Sequence, residues 1–93
     1  MSDGTIVTKE KVEKYLALTA EARAKATPIA ANEEDLSRLD SMMRMCDDYQ
    51  VDAKHFLEKG DLVRAFGAIN YAHAWIDAAV RIGLMDGYDD DRL

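Results

Sequence analysis

Between Leu62 and Ile82, 21 residues carry only three charges, Arg64, Asp77 and Arg81, while the 27 residues from Glu33 to Lys59 carry twelve. A stretch so poor in charge, in a chain that is 32% charged overall, has to be covered by its own neighbours or by another molecule. With 93 residues there is material for one domain and one modest core. The covering elements must therefore be few, and close in sequence.

Charge and cysteine content narrow the setting. A net charge of -6 opposes a sequence-independent grip on nucleic acid phosphates or on an anionic membrane, so neither is expected as a partner. The single cysteine, Cys46, cannot form an internal disulfide, and Met1 to Thr8 lack the basic start and apolar run of a signal peptide. The longest uncharged stretch near the C-terminus, Ala65 to Ile76, is 12 residues, well short of the roughly 20 needed to cross a bilayer. These features predict a cytoplasmic protein.

Apolar spacing and punctuation predict three helices, at about residues 9–26, 33–59 and 62–82, and no segment alternates as a strand does. Thr8 is placed to cap the first helix, whose thin stripe is Val12, Tyr15, Leu16, Thr19, Ala22 and Ala26. Thr27-Pro28 ends it, because proline disfavours helical geometry before it and has no amide proton to donate. Asn32 caps the second helix, with Glu33, Glu34 and Asp35 in its positive first turn. Leu36, Leu39, Met43, Cys46, Ala53 and Leu57 make its apolar face, flanked by Met42, Tyr49 and Phe56 at seven-residue intervals. Lys59-Gly60-Asp61 then reads as a tight turn between antiparallel neighbours, and Gly83 closes the third helix. The prediction is an all-α, up-and-down three-helix bundle over residues 8–85, with a flexible N-terminus at 1–7 and an acidic flexible tail at 86–93.

On the third helix, Leu62, Ala65, Phe66, Ile69, Ala72, Ile76, Ala79 and Val80 form one arc broad enough to be the bundle core. A second stripe runs along another side of the same helix: Gly67, Tyr71, Ala74, Ala78 and Ile82, edged by Trp75. Alanine is the best helix former, and solitary exposed apolar residues are ordinary. Small residues at this spacing nevertheless let another backbone approach, while Tyr71, Trp75 and Ile82 are anchors of the kind interfaces favour. The stripe predicts docking of a protein partner or of a second copy, with a homodimer the simplest form.

Few polar residues suggest chemistry. His73 and Asp77 form an i, i+4 pair at the edge of the core arc, yet no nucleophile stands at an identifiable spacing, so a hydrogen-bonded structural histidine is the expected reading. Asp48, Asp52 and His55 share a face of the second helix and loosely echo a carboxylate-x-x-histidine metal motif, but that face points away from the apolar stripe. A metal-dependent or catalytic bundle using Asp48, Asp52, His55, His73 and Asp77 is the alternative from a different class. Met45 points outward, while Met42 and Met43 read as core fillers and Cys46 as a buried thiol. No phosphate loop, zinc spacing, nucleophile elbow or basic aromatic patch is present, so no catalytic residue, cofactor or metal ligand is assigned.

The hairpin sequence YQVDAKHFLEKGD at 49–61, VRAFGAINYAHAWIDA at 63–78 and RIGL at 81–84 resembles the archaeal domain-of-unknown-function family 357. The first helix contributes no motif to this resemblance, and Ala74 stands where it leads one to expect glycine. It implies a three-helix bundle of the albumin-binding-domain-like class in an archaeal cytoplasmic protein without an established activity. Its recurring polar and aromatic positions map to Tyr49, Asp52, Asp61, Tyr71, Trp75 and Asp77. Asp61 is accounted for as a helix cap, which leaves Tyr49, Tyr71 and Trp75 as recognition candidates.

Overall fold

In the computed structural model, which describes residues 6–29 and 32–87, each predicted helix begins on its predicted cap. Helix α1 spans Lys9–Lys25, α2 Glu33–Glu58 and α3 Leu62–Arg81. The Thr8 hydroxyl accepts from the Lys11 amide at 3.1 Å, the Asn32 side chain from Asp35 at 2.8 Å, and the Asp61 carboxylate from Arg64 at 3.1 Å. Each cap satisfies an amide that has no carbonyl partner within its own helix.

The helix ends follow the two glycines. Gly60 and Gly83 take φ of 77° and 82°, the left-handed region that glycine enters without a Cβ penalty. After α2 the Gly60 amide donates to Leu57 and the Asp61 amide to Phe56; after α3 the Gly83 amide donates to Val80 and Leu84 to Ala79. Both are Schellman closures, satisfying carbonyls that the helix would otherwise leave open. The first swings the chain straight into α3, antiparallel to α2.

Helix α3 lies at the centre of the packing. Ala65, Ala68, Ile69, Ala72, Ile76 and Ala79 are buried along it, against Leu39, Met43, Cys46 and Ala53 of α2. From α1 come Val12, Thr19 and Ala22. Rising residue numbers on α1 meet rising numbers on α3, Tyr15 at Phe66 and Thr19 at His73, so these two helices run parallel and the order is up, down, up. The result is an all-α three-helix bundle with principal extents of 47 × 24 × 17 Å.

Four details depart from the sequence reading. The end of the bundle carries a two-stranded bridge: β1, Thr27–Pro28, pairs antiparallel with β2, Met85–Asp86. Pairs this short leave no alternating pattern to read, and Pro28 argues against a strand except at an edge. Asp86 pairs with Thr27 and Gly87 is buried, so the expected free tail does not begin at 86; residues 88–93 lie outside the described residues, as do 1–5 of the expected flexible start. Leu36, expected in the core, is 44% exposed, because it sits in the first turn of α2 and borders an open depression beside Arg23 and Pro28. Ala68, outside the predicted arc, is buried where α3 meets α2.

Candidate interaction surface

Two antiparallel helices leave a seam on each side, and in this bundle α1 occupies one of them. Tyr15 meets the Phe66 ring edge-on with centroids 5.3 Å apart, the Thr19 hydroxyl lies 3.1 Å from His73 Nδ1, and Arg23 pairs with Asp47 at 3.1 Å. All three contacts fall on the same side of the α2–α3 hairpin. None involves the second stripe of α3.

The other seam carries that stripe. Tyr71 is 62% exposed and stacks on Tyr49 of α2, with ring centroids 5.3 Å apart and planes 23° from parallel. Further along, Trp75 of α3 and its C-cap residue Ile82 face Arg38, Ser41, Met42 and Met45 of α2 across an open depression of about 330 Å³. Ile82 is 64% exposed, whereas Trp75 is half-buried against the core. Ala74 is exposed, and Gly67 and Ala78 are half-buried. A methyl group at Gly67 would meet nothing within 4 Å, so the bundle's own packing does not require glycine there.

The surface is therefore wider than the stripe read from α3, since α2 supplies Tyr49 and Met45 opposite Tyr71 and Trp75. The signal was present in the sequence as Met42, Tyr49 and Phe56 at seven-residue spacing beside the apolar face of α2. What the spacing could not show is which seam α1 would fill.

Exposed charges on α2 and α3 are unevenly neutralised. Arg38 binds both Glu34 and Asp35, Arg64 lies 3.5 Å from Asp61, and Arg81 pairs with Asp77 at 2.9 Å. Asp48 and Asp52 are exposed and hold no ion pair among the described residues. By helical spacing Asp52 stands one turn past Tyr49, whereas Asp48 lines a shallow depression with Arg23, Arg44 and Asp47 on the side of α2 that faces α1.

The polar candidates are dispersed. His73 is half-buried and meets the fully buried Thr19, while the carboxylate of Asp77 takes Arg81. Asp48, Asp52 and His55 are exposed on α2, and the His55 ring lies edge-on to Phe56 at 5.9 Å. Among the described residues no three His, Cys, Asp or Glu side chains converge as a metal site. Cys46 is buried, and burial pushes its thiol above the ordinary range, aided by the nearby Asp47 carboxylate and opposed by the Gln50 amide, which donates to Sγ at 3.6 Å. Raised in this way, it is a poor nucleophile.

The family model described as a protein of unknown function, DUF357, matches residues 14–85, from the second turn of α1 to the first residue of β2. The chain belongs to the DUF357 family. The DUF357 match extends well beyond the hairpin that carries the sequence resemblance and includes most of α1, where no motif is legible. Tyr49, Tyr71 and Trp75 all lie within it. Neither the curated proteins nor the solved structures compared with the chain yield a match. Among the described residues of this DUF357 protein no helix is long and apolar enough to cross a membrane.

Proposed function

We propose that this protein is a small interaction or adaptor module of the cytoplasm that docks a protein partner on the open α2–α3 seam. One observation carries the reading: Tyr71 and Ile82, 62% and 64% exposed, lie on the same seam as the Tyr49–Tyr71 stack and the Trp75 depression. A small domain has little apolar surface to spare from its core, and here large anchors are gathered on its outside. Aromatic residues in such a setting carry a disproportionate share of binding energy.

The test is a charge placed on the seam. Ala78 is half-buried between Trp75 and Ile82 on α3, so Ala78→Glu keeps a good helix former while adding a charge that an apolar partner would have to desolvate. The expected result is unchanged helicity by circular dichroism with loss of partner binding or, if the partner is a second copy, a lower mass by light scattering. Tyr71→Ala is expected to weaken the same association by about 2 kcal/mol. A monomeric wild type that binds the same partners as Ala78→Glu would remove the reading.

A further inference from the structure

Along the open seam the side chains follow a definite order. From the hairpin turn to the far end, Arg64 overlies the Phe56 ring at 5.9 Å, Tyr71 stacks on Tyr49, Trp75 faces Met42 and Met45, and the cap residue Ile82 faces Arg38. Large apolar side chains fill the middle, and charges mark the two ends. From Arg38 to Phe56 is about 27 Å of helix, and two helices side by side are roughly 20 Å across, so one copy offers on the order of 500 Å². Two such faces bury on the order of 1,000 Å², enough for a specific interface that dissociates on dilution.

The two ends carry opposite residual charge. At the far end Arg38 binds two carboxylates, Glu34 and Asp35, which leaves one negative charge in excess. At the turn Arg64 is matched by Asp61, while Lys59, exposed one turn past Phe56, holds no ion pair among the described residues and leaves one positive charge in excess. An identical face turned end for end brings each positive end onto a negative one, whereas the same face laid in the same direction sets like ends together. We infer that the seam is covered by a second copy of this chain, antiparallel about a two-fold axis near Tyr71 and Trp75, with Lys59 of each copy against Glu34 and Asp35 of the other. This inference rests on the interaction reading above. Trp75 of one copy then meets Tyr71 of the other, and the two furrows close into an antiparallel four-helix core. Net charge does not oppose this face strongly, because Glu34, Asp35, Asp52 and Asp61 stand against Arg38, Lys59 and Arg64, a net of -1 out of the chain's -6. The two Asp52 residues fall about 15 Å apart along the pair, beyond the screening length of roughly 8 Å at physiological salt.

Sedimentation equilibrium of the full chain, paired with the emission of its single tryptophan, tests the arrangement. The wild type is expected to pass from monomer to dimer as concentration rises, and the half-buried Trp75 to shift its emission to the blue over the same range. Reversing either end, by Lys59→Glu or Glu34→Lys, is expected to weaken the dimer about tenfold at low salt. The two reversals in one chain are expected to restore it. Lys54→Glu, the same change on α2 but about 140° round the helix from Lys59, is expected to leave the dimer unchanged. A wild type that stays monomeric to about 1 mM, a dimer that forms without a Trp75 shift, an equal loss with Lys54→Glu, or no recovery in the double variant overturns the second copy. If the monomer instead binds another protein that Ala78→Glu and Tyr71→Ala release, the second copy is overturned and the seam remains an interaction surface. If the wild type is monomeric and neither of those variants changes any association, both readings fall.

Discussion

Thr19 shows how one side chain joins two helices. It is a fully buried polar residue on α1, and its hydroxyl lies 3.1 Å from Nδ1 of the half-buried His73 on α3. A buried hydroxyl without a partner is costly, so this bond favours the register in which Thr19 reaches His73 over neighbouring ones. Thr19→Val keeps the branched shape and removes the oxygen. The expected cost is about 1 kcal/mol, read as a lower urea midpoint with an unchanged slope. A midpoint equal to or above that of wild type would show that the hydroxyl adds nothing. His73 and Asp77 are recognisable as an i, i+4 pair from their spacing, whereas in the sequence Thr19 shows only as part of an apolar stripe. Its role across helices depends on how α1 is set against α3, which no local pattern encodes.

At the scale of elements, the parts with local causes were legible and the parts with distant causes were not. Caps at Thr8, Asn32 and Asp61 and the closures at Gly60 and Gly83 follow from a few neighbouring residues, and the helix boundaries agree with the sequence reading to within a residue. The β1–β2 bridge joins residues nearly sixty positions apart and left no signal. The candidate surface divides in the same way: the α3 stripe was legible, while the pairing of Tyr71 with Tyr49 and of Trp75 with Met45 depended on which seam α1 fills. Glycine offers a test at this scale. Gly67 is helical and has open space where a Cβ would stand, so Gly67→Ala is expected to raise stability by about 0.5 to 1 kcal/mol. Gly60 has equal space but a φ of +77°, so Gly60→Ala is expected to lower it by about 1 to 2 kcal/mol. Thermal melts of the two variants against wild type should move in opposite directions. Destabilisation by Gly67→Ala would mean that something of the bundle itself packs closely against that position.

For the molecule as a whole, the three helices do not hold one another equally. Helices α2 and α3 are joined by a tight closed turn and bury apolar residues against each other along most of their length, from Leu39, Met43, Cys46 and Ala53 on one side to Ala65, Ala68, Ile69, Ala72, Ile76 and Ala79 on the other. Helix α1 is shorter, at 17 residues, and its fully buried side chains are Val12, Thr19 and Ala22. Its other ties include the Thr19–His73 hydrogen bond, the Phe66 ring, which Tyr15 meets edge-on and Lys11 overlies, and an exposed ion pair between Arg23 and Asp47, of a kind worth at most about 1 kcal/mol. The hairpin has the larger apolar area to lose on opening, so α1 should detach in a smaller step than global unfolding. Native-state hydrogen exchange in low denaturant provides the measurement. Amides of α1 are expected to exchange through an opening with a shallower denaturant dependence than those of Ile69, Ala72 and Ile76, because less surface is exposed when one helix leaves than when the hairpin separates. Detachment of α1 would bare Phe66 and His73 and leave the Tyr49–Tyr71 seam intact, so stability of the first helix and occupancy of the seam should vary independently. Equal protection and equal denaturant dependence across all three helices would instead make the bundle a single cooperative unit, in which the thin stripe of α1 is held as firmly as the hairpin.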